Sequence, residues 1–229
     1  MSIHTSLKQY NSDSGLQKTG NYTVLATVAD LFARLFIAPP EHTLINACRS
    51  AEAIQFFIEI GEELERQDLS RRLINTLTGE PADRVEHTLG YQYVTLFDGI
   101  TGPDSTPPYE SFFTNETGRL WQQPYTEMRK IMSALDVSAG RWNEPDDHLA
   151  IQLAAFAEAL RQKNRKYVKQ LHERLTRWIP LLGAAIQRIA PVSFYSDLIS
   201  LLIVFLSFSV SLHIREIDYQ TLGEYHVSR

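Results

Sequence analysis

The sequence predicts an all-α protein, a single irregular helical domain in two halves joined by a Gly/Pro-rich loop. Three observations predict it. Apolar residues recur at intervals of three and four along most of the chain, which keeps them on one face of a helix. Alternating segments that would signal half-buried strands are scarce. One stretch, Asp98–Pro108 (DGITGPDSTPP), holds two glycines and three prolines in eleven residues and cannot be helix. No repeat of roughly 20–50 residues is present, which argues against a solenoid.

The elements follow in order. Residues 1–20 are polar, lack an apolar core after Lys8, and read as a flexible tail rather than a secretory signal. The helical domain is expected over residues 21–218, with halves 21–97 and 109–218 and a C-terminal tail 219–229. In the first half, Val24, Val28, Leu31, Phe32, Leu35 and Phe36 form one apolar face, and Pro39 and Pro40 stop the helix. Ala47–Leu64 repeats the pattern with Ile54, Phe57, Ile58 and Gly61 inward and five glutamates outward. Leu69–Leu77 and Arg84–Phe97 complete this half. In the second half, Thr126–Leu135 is a short helix and Leu149, Leu153, Phe156 and Leu160 make a clean stripe. Lys169–Ile189 and Phe194–Leu212 follow. The segment Leu198–Leu212 is apolar, but its 15 residues carry four serines. A membrane span needs about 20 apolar residues, so a buried core helix is expected, with membrane association as the rival reading.

Composition narrows the function classes. The chain has 229 residues, 44% of them hydrophobic, enough to bury a core. Its net charge of −5 lacks the basic surplus that phosphate backbones reward, so nucleic acid is not expected as a partner. The single cysteine, Cys48, cannot form an intrachain disulfide or a cysteine-based metal site, which suits a reducing, cytoplasmic setting.

Two segments concentrate chemistry. Asn143–Leu149 (NEPDDHL) reads as a helix start, with Pro145 at the first helical position and Asp146 and Asp147 in the first turn. Capping leaves His148 unexplained. Three carboxylates and a histidine within five residues suit a cation, a guanidinium, a metal or acid–base work. The remaining histidines show no HxxxH pairing, there is no GxSxG motif, and Gly99 and Gly102 lack the GK[ST] of a phosphate loop. The second segment, Pro107–Phe113 (PPYESFF), joins two stiffening prolines to an aromatic cluster. It suits either a peptide-binding surface or a core plug.

Together, NEPDDHLAIQL and the preceding PPYESFF resemble the TorD/DmsD family of cytoplasmic molybdoenzyme chaperones. Leu31–Phe36 with Pro39, Tyr91–Phe97 with Gly99, Trp178-Ile179-Pro180 and Phe194-Tyr195 with Leu198 fall in the family's order. The resemblance spans roughly residues 22–212. It implies an all-helical chaperone, not an enzyme; weak guanine-nucleotide binding is associated with the family, but this sequence shows no phosphate-binding motif, so no cofactor is expected, and no metal. Such a chaperone binds the twin-arginine leader peptide of a molybdenum-cofactor oxidoreductase, such as a dimethyl sulfoxide or trimethylamine oxide reductase, and assists folding, cofactor insertion and export proofreading. It further implies that Asp147 and His148 bind the signal peptide, that Glu144 and Pro145 shape the segment, and that Leu96, Phe97, Tyr109 and Ser111 line the groove. Thr95 stands where the family usually has arginine, and Tyr109 where some members have tryptophan; both bear on peptide specificity. The alternative from another class is a metal- or His/carboxylate-dependent hydrolase centred on His148. No stable membrane insertion is expected, and a monomer and a domain-swapped homodimer both stay open.

Overall fold

The computed structural model describes residues 22–98, 102–114, 123–137 and 144–209, and they form an all-α fold. Its helices are α1 (Tyr22–Phe36), α2 (His42–Cys48), α3 (Ala51–Glu63), α4 (Gln67–Thr78) and α5 (Ala82–Phe97). They continue with α6 (Glu110–Thr114), α7 (Gln123–Ala134), α8 (Leu149–Arg161) and α9 (Arg165–Ile189). Residues 194–209 form α10. The expected tails and the inner part of the Gly/Pro stretch, residues 99–101, lie outside the described residues, as do residues 210–212 at the end of the apolar segment.

Among α1 to α9, helices α1 and α8 share the most extensive contact. Both helices are rich in small buried residues: Ala26, Ala29 and Ala33 on one, and Ala150, Ala155, Ala157 and Ala159 on the other. Around them Phe36, Tyr93, Phe97 and Tyr195 meet edge-on or tilted with centroids 5.0–6.1 Å apart, tying α1, α5 and α10 together. Tyr93 also donates its hydroxyl hydrogen to the carbonyl of Phe36 at 3.2 Å, which satisfies a carbonyl left open at the end of α1.

The helix expected over Ala47–Leu64 is two helices. Ser50 is extended (φ −64°, ψ 154°), and its hydroxyl accepts the Ala53 amide hydrogen at 3.2 Å, a serine N-cap for α3. Arg49 turns away at the break and donates to the carbonyls of Leu77 (2.8 Å) and Glu80 (2.7 Å) at the far end of α4. The apolar period runs unbroken through this corner, so periodicity could not reveal it.

Helix α10 is a core element. Leu198, Ile199, Leu201 and Leu202 are fully buried, and Phe205 meets Phe32 at 5.8 Å. No described helix is long and apolar enough to cross a membrane.

Candidate functional site: a clasp between residues 108–111 and 144–150

The segment preceding α8 does not start a helix at Pro145. Residues 145–148 stay outside α8, and His148 is extended (φ −65°, ψ 139°). The reason is pairing. Tyr109 and His148 form an isolated antiparallel bridge, in which Glu110 N–H donates to the carbonyl of Asp147 (3.1 Å) and Leu149 N–H to that of Pro108 (2.8 Å). Proline at 107 and 108 favours the extended backbone this needs.

Each segment then caps a helix. Asp147 Oδ2 accepts the Ser111 amide hydrogen at 3.1 Å, so a carboxylate from the 144–150 segment closes the start of α6. The His148 side chain caps α8 itself, its Nδ1 accepting the Ala150 amide hydrogen at 3.1 Å. The proton of the neutral ring therefore sits on Nε2. At the outer edge, Tyr109 donates its hydroxyl hydrogen to Glu144 Oε2 at 2.5 Å, and both residues are half-buried. The Tyr109 ring stands edge-on to His148, 5.1 Å away.

Beneath the clasp runs a polar network that sequence reading missed. Gln152 Nε2 donates to Glu110 Oε2 (2.7 Å) and to the carbonyl of Asp147 (3.2 Å), while its Oε1 accepts from the Trp178 indole (3.1 Å). Arg174 Nε donates to Glu110 Oε2 at 2.5 Å, and both its Nη atoms lie 3.0 Å from Glu127 Oε2. The network links α6, α7, α8 and α9. Gln152 was the legible clue, a polar residue interrupting a buried apolar face. Arg174 had no such mark among the basic residues of α9.

Burial sets the electrostatics. It pushes the Glu110 carboxyl above its usual range, against the opposing pull of Arg174. Asp146 is raised likewise by burial, with Arg129 counteracting. Tyr109 is raised by burial and by the Glu144 carboxylate. Desolvation lowers His148 to about 3. An imidazole that stays neutral and spends its Nδ1 lone pair on a cap is poorly suited to general-base work, which removes the basis for a hydrolase centred on it. Among the described residues no three His, Cys, Asp or Glu side chains group as a metal site requires.

The candidate residues therefore divide. Leu96, Phe97, Ser111, Asp147 and His148 are at most 4% exposed, and Pro145 is buried. Glu144 and Tyr109 alone among the eight keep partial access. Leu96 and Phe97 sit in the core rather than along an open groove. Three buried oxygens near the clasp in sequence, Thr106 Oγ1, Ser111 Oγ and Asp147 Oδ1, have no hydrogen-bond partner.

The buried histidine has a measurable consequence. Between pH 3 and 6.5 an unfolded chain binds a proton at His148 that the folded chain refuses, so this residue makes stability fall as pH drops through that window. Above about pH 6.5 its contribution is flat. Denaturant midpoints of wild type and His148→Gln, taken at pH 7 and pH 5, isolate the effect from the carboxylates. Wild type is expected to lose about 2 kcal/mol more than the variant. Equal losses would show that the ring is solvated.

A family model described as the nitrate reductase delta subunit matches residues 61–187, more than half of the chain, from the end of α3 to the end of α9 and through the whole clasp. The chain belongs to this family. Within the nitrate reductase delta subunit family it is similar to proteins named chaperone protein TorD, which places it among chaperones rather than enzymes. The relative from Shewanella piezotolerans is 25% identical over 187 residues, covering 77% of this chain and 86% of that protein. The one from Vibrio parahaemolyticus is 24% identical over 188 residues, covering 76% and 87%. Among solved structures, a redox enzyme maturation protein from Archaeoglobus fulgidus shares the fold, with a TM-score of 0.52, 18% identity and coverage of 78% of this chain and 91% of that one.

Proposed function

We propose that this chain is a cytoplasmic chaperone that binds the twin-arginine leader peptide of a molybdenum-cofactor oxidoreductase, assisting its folding, cofactor insertion and export proofreading. The observation that carries the reading is the clasp. A twin-arginine leader offers two guanidiniums followed by an apolar run, so its receptor needs carboxylates beside apolar surface. Glu110, Glu144, Asp146 and Asp147 are brought together where residues 108–111 pair with 144–149, and Phe112, in the same segment, is partly exposed.

The clasp is closed in this conformation, so binding to Asp147, His148, Ser111, Leu96 or Phe97 requires it to open. Two backbone hydrogen bonds and one side-chain cap hold residues 108–111 to 147–149. Each is worth about 1 kcal/mol net, so a partly opened form is within reach of a ligand's binding energy. Glu144 and Tyr109, at the accessible edge, would meet the peptide first.

The test is isothermal titration of a synthetic leader peptide carrying Arg-Arg and an apolar run against one carrying Ala-Ala. Loss of both guanidiniums is expected to weaken binding at least 10-fold, since a hydrogen bond to a charged group contributes about 1.5–3 kcal/mol. Equal dissociation constants would refute the reading.

A further inference from the structure

Three of the four acidic side chains at the clasp are engaged inside the fold. Asp147 Oδ2 holds the Ser111 amide, Glu144 holds the Tyr109 hydroxyl, and Glu110 holds Arg174 and Gln152. Asp146 is different. Its Oδ2 lies 3.3 Å from Nε of Arg129, whose side chain is 69% exposed while that of Asp146 is 12% exposed. The same guanidinium rests over the Tyr125 ring, 5.1 Å from its centroid, at the outer surface of α7.

The two arginines that reach the site from α7 and α9 are built for opposite purposes. Arg174 is 9% exposed and is fixed by Glu110, Glu127 and the Pro124 carbonyl. Removing it would strand buried charge. Arg129 keeps most of its side chain in water, so little is lost when it swings away, and rotamer freedom is regained. Asp146, in contrast, is largely buried, so its charged form is costly without a positive partner.

We infer that Arg129 is an internal stand-in for a ligand guanidinium. It neutralises Asp146 in the unliganded protein and yields that carboxylate to an arginine of the bound peptide, so Arg129 sets how strongly a peptide arginine must bind to enter. The inference rests on the twin-arginine reading and names one carboxylate as an arginine subsite. The exchange swaps one guanidinium for another at constant charge, which selects against lysine, because a guanidinium can meet the carboxylate with two parallel hydrogen bonds and an ammonium cannot.

The experiment titrates the synthetic Arg-Arg peptide into the full chain as wild type, Arg129→Ala, Asp146→Asn and the double variant. Removing an exposed competitor worth what surface ion pairs are worth should tighten binding roughly two- to five-fold in Arg129→Ala. Asp146→Asn should weaken binding, and adding Arg129→Ala to it should restore nothing. If Arg129→Ala binds equally or more weakly while Asp146→Asn still weakens, Arg129 is no stand-in and the peptide reading survives. A tightening of the same size in the Asp146→Asn background would mean a general charge effect and overturn the inference. A wild type that binds no peptide removes both. Arg129→Gln repeats the comparison should Arg129→Ala melt early.

Discussion

Arg174→Ala is expected to destabilise the fold by about 3–5 kcal/mol, the usual result of removing one partner from a buried ion pair. Glu110, only 3% exposed, would lose the Nε donor at 2.5 Å and be left with Gln152. Glu127, at the rim, would lose two donors as well. Because burial already raises the Glu110 carboxyl, losing its cation raises it further, so the stranded acid takes up a proton more readily. The deficit should therefore shrink as pH is lowered, the opposite of the trend that His148 imposes on the wild type. Chemical denaturation of wild type, Arg174→Ala and the Glu110→Gln/Arg174→Met pair checks this. The pair should recover much of the loss, since a neutral, well-packed substitute avoids the stranded charge. An Arg174→Ala protein as stable as wild type would mean that water reaches Glu110.

Leu202→Asp is expected to cost about 5 kcal/mol or more, because it removes a buried leucine and strands a carboxylate. Leu202 is 0% exposed on the inner face of α10, in line with Leu198, Phe205 and Leu206. On the neighbouring side, a Cβ added at Gly183 of α9 would come within 2.9 Å of Ile203, so the two helices are close and have no slack to admit a carboxylate. Insoluble or unfolded protein is the outcome to look for after expression. Ser207→Ala, on the exposed side, should stay within about 0.5 kcal/mol of wild type. Soluble Leu202→Asp protein with normal melting would show that this face is open, and would favour the membrane-associated alternative.

What could be read in the sequence was whatever a helix repeats. The apolar faces of α1, α4, α5, α8, α9 and α10 were legible from spacing, and Pro39 and Pro40 marked the stop after α1 because proline imposes its rule locally. The corner at Arg49 and Ser50 was not, since the same period continues through it and only the serine cap marks the turn. The start of α8 misled for a different reason. Pro145, Asp146 and Asp147 have the composition of a first turn, but they form a separate turn closed by the His148 amide on the Pro145 carbonyl (2.9 Å), the bridge to Tyr109 holds His148 extended, and a histidine, an uncommon cap, begins the helix. Arg174 and Arg177 lie three residues apart on one helix, the first buried and the second exposed. Nothing local separates them. Only the carboxylates that other helices bring to Arg174 do so.

The same non-local logic places the candidate site. The sequence singled out residues 107–113 and 143–149 separately, and the fold joins them through Glu110, Ser111, Asp147 and Leu149. The accompanying burial of Asp147 and His148 changes what their substitution would report. Either replacement disturbs a helix cap as well as any ligand contact, so the half-buried Glu144 and Tyr109 are the cleaner probes of binding.

Amide hydrogen exchange of the full chain, with and without the Arg-Arg leader peptide, tests most directly whether this clasp is where the leader binds. Opening and re-closing around a ligand should alter exchange at Glu110, Ser111, His148, Leu149 and Ala150, whose amides lie in the clasp, while α3 and α4 stay unchanged. Peptide-dependent protection on α3 and α4, with residues 108–111 and 144–150 exchanging as before, would contradict the account.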